Sequence, residues 1–355
     1  MARIGIVGTT SWGTTLGVIT ARQGHTPTLW ARSAEEAADL ERHRENRRFH
    51  PGVRFPEGLT VTASADDAFR SCDLAIVAVP TSTVRQNARR LHDALLTSPL
   101  ILSATKGVEP GTGKRPSEML AEELGEPGRA AVGAISGPNL AREIIAGKPA
   151  SATVAFPAQE AALATQAVLT SSVFRVYTTD DIVGLELGGA LKNIIAICAG
   201  VIDGLGLGDN AKAAIITRGL HEITRLGVVM GARPETFAGL SGLGDLVATC
   251  YSKLSRNRFV GEELGKGRSI DDILAGMDQT AEGVPATSAA VQLAARLGVE
   301  MPLAETLRRL LFDGLGVQEA VEALMRRAPV PESRIHTFGA APHLDVPSRD
   351  EWQRG

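Results

Sequence analysis

Apolar residues in the first half of the chain fall into short, unbroken runs; in the second half they recur every three to four positions. Eight runs read as strands: RIGIVG (3–8), TPTLWAR (26–32), LTVTAS (59–64), DLAIVAVP (73–80), PLILSAT (99–105), AAVGAIS (130–136), SATVAF (151–156) and FRVYTT (174–179). Most are continuously apolar rather than alternating, the pattern of a sheet covered on both faces. Helical segments lie between them, such as SAEEAADLERHREN (33–46), which opens on a serine suited to capping. Strand, helix and strand in repetition predict a doubly wound α/β sheet. After about residue 181 the strand runs stop. Helical periodicity then occupies 182 to 327, in the stretch 183–202 and in NAKAAIITRGLHEITRLGVVMG, SIDDILAGM, ATSAAVQLAARLGV and VQEAVEALMRR.

The predicted organisation is a nucleotide-type domain over 1–181 and an all-helical substrate domain over 182–328. From Pro329 the chain is polar and rich in proline, without a period, and a flexible tail over 329–355 is expected. One helix needs separate treatment. VGLELGGALKNIIAICAGVI (183–202) is long enough to mimic a membrane span, but it carries Glu186 and Lys192. Each charge would cost about 2.5–3.5 kcal/mol at a bilayer centre. The reading is therefore a buried helix with no integral membrane segment, and its lysine needs a reason to be there.

Composition narrows the partners. At 355 residues the chain can hold two sizeable cores, and 44% hydrophobic with 22% charged residues describes an ordinary globular protein. A formal net charge of −3 gives no electrostatic reason to expect nucleic acid or an anionic membrane. Cys72, Cys198 and Cys250 are far apart and form no C-x-x-C pair, so inert thiols, no metal site and a reducing cytoplasm are expected. The first strand begins at once, without a charged, apolar and cleavage region in succession, which agrees with a cytoplasmic location.

The first strand leads into Gly8-Thr9-Thr10-Ser11-Trp12-Gly13, a G-x-G-x-x-G turn with threonine at its second glycine. Gly8 ends the strand tightly, Gly13 lets the next helix approach the sheet, and the helix N-terminus offers amides to a pyrophosphate. By itself the stretch reads equally as the cofactor loop of a Rossmann-type domain or as an ordinary strand-to-helix turn. Thr10 is expected to obstruct it, because a β-branched residue tolerates positive φ poorly and its Cβ would stand before the pyrophosphate. A displaced loop, binding weaker by roughly 1–2 kcal/mol, and a gain of about tenfold in Thr10→Gly are expected. The second strand ends at Ala31-Arg32-Ser33. An arginine beside a serine suits a 2′-phosphate, while Glu35 leaves ribose recognition open, so NADPH or NADH is expected.

Further clusters gather chemistry. SATKGVEPGT (103–112) puts Lys106 directly after a strand, and AISGPNLAREI (134–144) puts Gly-Pro-Asn at another strand end. ELGGALKNIIAI (186–197) buries Lys192 and Asn193 among small residues. GLSGLGDLVATCYSKLSRNRFVGEELGKG (239–267) joins a glycine-rich turn, Asp245 and Ser255-Arg256-Asn257. A lone buried lysine more often serves a structural ion pair than catalysis. Lys192 with Lys106, Arg256 and Asp245 is different, since these side chains together suit a phosphate and a carbonyl.

These segments, with SWGTTL, HRENRRFHPGVRFP, VAVP, SRNRFVG and AEGVPAT, resemble the bacterial NAD(P)-dependent sn-glycerol-3-phosphate dehydrogenases from residue 3 to about 327. The block around Lys192 is the most specific part. The family pattern has glycine at 10 and alanine at 15 and 17, where this chain has Thr10, Thr15 and Gly17, and the tail beyond 330 is longer than usual. The resemblance implies reduction of dihydroxyacetone phosphate to sn-glycerol 3-phosphate, supplying glycerophospholipid synthesis. It implies Lys192 as proton donor and acceptor, Lys106 as added positive charge, and Asp245 as the group orienting Lys192 or a substrate hydroxyl. Ser255, Arg256 and Asn257 match the substrate-phosphate site, with Gly137, Asn139 and Asn193 on the substrate side. Gly8, Thr10, Ser11, Trp12, Gly13, Arg32, Ala141, Thr280 and Glu282 match the cofactor side, with Lys106 and Arg256 reaching it too. The implied partner is a small phosphorylated substrate, and the apolar helical domain suggests a homodimer. Two alternatives stay open: a dehydrogenase for another phosphorylated ketone in specialised metabolism, and a non-catalytic nucleotide-binding relative.

Overall fold

The protein is represented by a computed structural model that describes residues 1–129, 132–277 and 281–328. The expected tail lies outside the described residues, as does Thr280. The eight expected strands are present as β1 (Arg3–Val7), β2 (Thr26–Trp30), β3 (Thr60–Thr62), β4 (Leu74–Val77), β5 (Ile101–Ser103), β6 (Val132–Ser136), β7 (Ala150–Ala155) and β8 (Phe174–Thr179). They form one sheet in the order β3-β2-β1-β4-β5-β6-β7-β8. The strands from β3 to β6 run parallel, with separate apolar clusters packed around them.

The sheet departs from a uniformly parallel one at its far side. β7 runs antiparallel to β6, and β8 follows β7 in parallel. The connection between β6 and β7 carries only the five-residue helix Ala141–Ile145, so the chain folds back instead of crossing over. The chain order reverses at β1, which lies between β2 and β4. In an open α/β sheet that reversal opens a crevice at the carboxyl ends of the strands.

Beyond β8 the described chain is helical, built around Ile182–Leu205. Asp181 caps this helix by accepting from the Gly184 amide at 2.8 Å, and Gly206 ends it at φ +67°. The helix is long and apolar enough to cross a membrane, yet almost all of it is buried inside the protein. The periodic segments read from the sequence become Gly208–Val229, Ile270–Ala275, Gly283–Leu297 and Val317–Met325. Four more helices among the described residues, Pro234–Ala238, Asp245–Tyr251, Arg256–Gly265 and Pro302–Phe312, carried no expectation, and the glycine-rich turn before Asp245 is a π-helical turn over Leu240–Gly244.

Glycines bring two helices of this half unusually close. Gly200 and Gly204 on the 182–205 helix face Gly261 and Gly265 on the 256–265 helix. A Cβ at Gly265 would meet the Val201 carbonyl at 2.6 Å and Gly204 Cα at 2.9 Å. A Cβ at Gly261 would collide with the Ile197 carbonyl. With the backbones in contact, side chains one turn further along the two helices meet, and those side chains belong to the site.

Candidate active site

The crevice at the ends of β1 and β4 holds the glycine-rich turn. Gly8 has φ +105°, and a Cβ there would stand 2.9 Å from the Ala78 carbonyl, so this position does require glycine. Gly13 lies against the Gly8 carbonyl and Ala78, which lets the helix Ser11–Arg22 sit directly over the strand end. Among the described residues, the first-turn amides of Ser11 and Trp12 have no protein acceptor, an arrangement suited to a pyrophosphate.

Thr10 is not the obstruction the sequence suggests. Its φ of −67° and ψ of 170° are ordinary for a β-branched residue, and it is the N-cap of the 11–22 helix. Its hydroxyl accepts from the Gly13 amide at 3.1 Å and donates to the Ala78 carbonyl at 2.7 Å. The expected strain is absent because the turn places its left-handed residue at Gly8, not at position 10.

A second layer supports this turn, and sequence reasoning missed it. Asn46 donates to the Thr9 carbonyl and to Thr14 Oγ1, both at 2.8 Å. His50 Nε2 lies 2.8 Å from the Ser11 carbonyl and 3.2 Å from the hydroxyls of Ser11 and Thr15. The Thr15 hydroxyl donates to the Ser11 carbonyl at 2.8 Å and lies 3.4 Å from the Ala141 carbonyl. The Thr9 hydroxyl donates to Glu36 at 2.7 Å, so Glu36 rather than Glu35 faces the turn. Arg32 stands at the end of β2, largely exposed, with Nε 3.2 Å from Glu36. Ser33 caps the next helix. Trp12 packs edge-on against Phe174, ring centroids 6.2 Å apart.

Across the crevice the structure brings Lys106, Asp245 and Lys192 together. Lys106, in the loop after β5, donates to Asp245 Oδ2 at 2.6 Å and to the Gly137 carbonyl at 2.9 Å. Lys192 donates to Asp245 Oδ1 and, at 2.6 Å, to Thr249 Oγ1. One carboxylate thus holds two ammonium groups, and a net positive charge remains facing the crevice. Lys192 is 6% exposed and Asp245 2%. Burial pulls the Lys192 ammonium down to about 8; Asp245 opposes that effect and the nearby Lys106 charge adds to it. Such an amine exchanges a proton near neutral pH, as acid–base catalysis requires. Cys250 beside it is pushed up to about 12 by burial and is inert. Thr249 was missed in the sequence, although its place four residues after Asp245 puts both on one helix face.

Asn193 and Asn257 meet through the glycine-lined contact. Asn257 Nδ2 donates to Asn193 Oδ1 at 2.9 Å, and the Gly283 amide donates to Asn257 Oδ1 at 2.9 Å. Ser255 caps the 256–265 helix by accepting from the Arg258 amide. Arg256 opens that helix on the exposed side, where its charge and that of Glu282 attract each other. Glu282 also accepts from Thr81, across the crevice. Gly137 has φ +147°, and a Cβ there would stand 2.9 Å from the Ser151 carbonyl. Next to it, both polar atoms of the Asn139 side chain are buried without a protein partner. A buried amide of this kind needs a ligand or water. The turn side of the crevice therefore fits a dinucleotide, and the unpartnered amide of Asn139 with the ammonium of Lys106 beside Gly137 suits a small polar ligand.

Comparison with known proteins agrees over nearly the whole chain. Residues 3–162 match the family model for the NAD-dependent glycerol-3-phosphate dehydrogenase N-terminus, and residues 181–322 match the model for its C-terminus. A glycerol-3-phosphate dehydrogenase, NAD(P)+, from Chlorobium luteolum is 46% identical over 331 residues, covering 93% of this chain and 99% of the relative. One from Geobacillus thermodenitrificans is 46% identical, covering 94% and 97%. The crystal structure of glycerol-3-phosphate dehydrogenase from Coxiella burnetii superposes with a TM-score of 0.86 at 36% identity, over 92% of this chain and 99% of that one.

Proposed function

Because the chain belongs to the NAD-dependent glycerol-3-phosphate dehydrogenase family, we propose that it reduces dihydroxyacetone phosphate to sn-glycerol 3-phosphate with Lys192 as the proton-transfer group. It is an NAD(P)-dependent oxidoreductase, and its product serves glycerophospholipid synthesis. The observation that carries the role of Lys192 is its position: a buried ammonium on an apolar helix, held by the same carboxylate as Lys106. The nicotinamide, when bound, supplies the hydride for the ketone carbon. Lys192 then donates its proton to the ketone oxygen, and Lys106 stabilises the charge developing there. Asp245 and Thr249 fix the direction of the Lys192 Nζ.

Arg256 grips the phosphate with its planar fork, aided by Ser255 and Asn257, while Asn193 braces Asn257. Gly137 and Asn139 line the substrate, the latter using its unpaired amide. Gly8, Thr10, Ser11, Trp12 and Gly13 form the pyrophosphate turn. Arg32, Ala141, Thr280 and Glu282 complete the cofactor side. On this reading the chain divides into a nucleotide domain up to residue 181 and a substrate domain over 182–328. A cytoplasmic homodimer is part of the same proposal.

The test is oxidation of NADPH and NADH with dihydroxyacetone phosphate beside other phosphorylated ketones, in the wild type and in Lys192→Ala. Dihydroxyacetone phosphate is expected to be preferred, and Lys192→Ala to lose turnover while binding NADPH nearly unchanged. Retention of more than about a tenth of wild-type kcat, a loss below roughly 1.4 kcal/mol, contradicts the proton-transfer role. Preference for another ketone would replace the substrate. Ketone reduction uses the Lys192 ammonium and should decline as pH rises through about 8; glycerol 3-phosphate oxidation uses the neutral amine and should rise there.

A further inference from the structure

The 182–205 helix holds a second buried charge that the reaction does not use. Glu186 lies six residues before Lys192 and is 5% exposed. Its carboxylate reaches out of the helical half to the start of the helix Pro116–Arg129. There it accepts from the Ser117 amide at 2.9 Å, from Ser117 Oγ at 2.5 Å and from Arg115 Nη1 at 2.7 Å. Arg115 is buried as well, and its Nη2 lies 3.0 Å from Glu118.

These residues close the loop that begins at Lys106. Other bonds make the loop stiff between its ends. Arg85 Nε and Nη2 hold Glu109 at 2.5 and 2.9 Å, the Glu109 amide donates to the Lys114 carbonyl, and Arg296 donates to the Thr112 carbonyl at 2.9 Å. Near the crevice, the Thr81 hydroxyl donates to the Lys106 carbonyl at 3.2 Å. The loop is thus anchored at both ends and between them, and the Glu186 grip at Arg115 and Ser117 is the anchor that ties it to the helix carrying Lys192.

Burial pushes the Glu186 carboxyl up, while Arg115 and Ser117 oppose it. A buried ion pair is costly, and apolar residues of similar volume would hold the halves together at least as well. What the charged group adds is direction, since three donors converge on two oxygens. We propose that Glu186 is a positioning residue which, by gripping Ser117 and Arg115, fixes the loop after β5 against the long helix and sets Lys106 beside Lys192 across Asp245. This rests on the assignment of Lys192 to proton transfer.

The consequence is measurable at Lys192, which faces Asp245, Lys106, Thr249 and Cys250. If Lys106 retreats, the positive charge that disfavours the Lys192 ammonium weakens, and Lys192 gives up its proton at higher pH. The experiment is the pH profile of kcat for glycerol 3-phosphate oxidation in the wild type, Glu186→Gln and Glu186→Asp, with the NADH Kd and Tm of each. In Glu186→Gln, kcat should fall about tenfold and the midpoint of the alkaline rise should move up by about 0.5 in pH, with the Kd for NADH within about twofold. Glu186→Asp should recover part of both. A lower Tm with an unmoved midpoint would reduce Glu186 to a structural ion pair and overturn the proposal.

If Glu186→Gln does not fold, Ser117→Ala removes one hydroxyl from the same grip. It should lower kcat about threefold with the midpoint moving the same way, and an unmoved midpoint overturns the proposal there too. A wild-type profile without a rise near pH 8 is a separate failure. It would remove the assignment of Lys192, and this proposal with it.

Discussion

At position 10, identity and conformation give opposite answers. Threonine in place of the second glycine suggests a damaged turn, but the backbone there is extended and the hydroxyl caps the helix. Thr10→Gly removes that cap and leaves the Ala78 carbonyl without its donor. The loss of cap and bond together is expected to cost about 1 kcal/mol of stability. NADPH should bind about threefold more weakly, since the turn loses its tie to β4, and Thr10→Ser should restore it. Fluorescence titration of the cofactor with a thermal melt checks both, and tighter binding by Thr10→Gly would revive the obstruction. The residue scale also shows what a sequence hides. Lys192, Asp245 and Arg256 stood out through charge in apolar or glycine-rich surroundings and through the family resemblance. Asn46, His50 and Glu36 did not, because a side chain supporting a loop from behind follows no period.

Among the elements, the strands were the most legible part. Most are short apolar runs between polar segments, and the others, β3 and β8, are β-branched or alternating, so every one could be read; only the antiparallel turn from β6 to β7 depended on the length of an intervening helix. The 256–265 helix was missed for a physical reason. RNRFVGEELG has two glycines and few apolar residues, so it lacks the stripe that marks a helix. Those same glycines are what let it pack backbone to backbone on the 182–205 helix. Gly261→Ala would place a methyl group against the Ile197 carbonyl, with Val201 N at 2.9 Å, and neither can move without bending the long helix. A loss of about 1–3 kcal/mol is expected from overpacking. Because Arg256 and Asn257 open the displaced helix, kcat/KM for the phosphorylated ketone should fall further than cofactor affinity. Denaturant melts and steady-state kinetics on one preparation read both quantities. Unchanged stability would mean that the two helices can separate freely.

At the scale of the whole molecule, the apolar side chains of Leu243, Val247, Tyr251 and Leu254 are partly exposed along one stretch of the helical half. In the proposed homodimer a second copy of the chain covers them, and light scattering is then expected to give about twice the 37.3 kDa of one chain. A mass of one chain removes the dimer. The two halves of each chain meet again at the bond from Lys106 to Asp245. That carboxylate neutralises one of the two ammonium groups it holds and keeps their mutual repulsion from prising the crevice apart. An incoming phosphorylated ketone brings negative charge of its own to the same place. On the proposed reading Asp245 stays the counterion of both ammonium groups, and the phosphate adds its own negative charge beside Arg256, so a filled crevice holds its positive side chains with less mutual repulsion than an empty one.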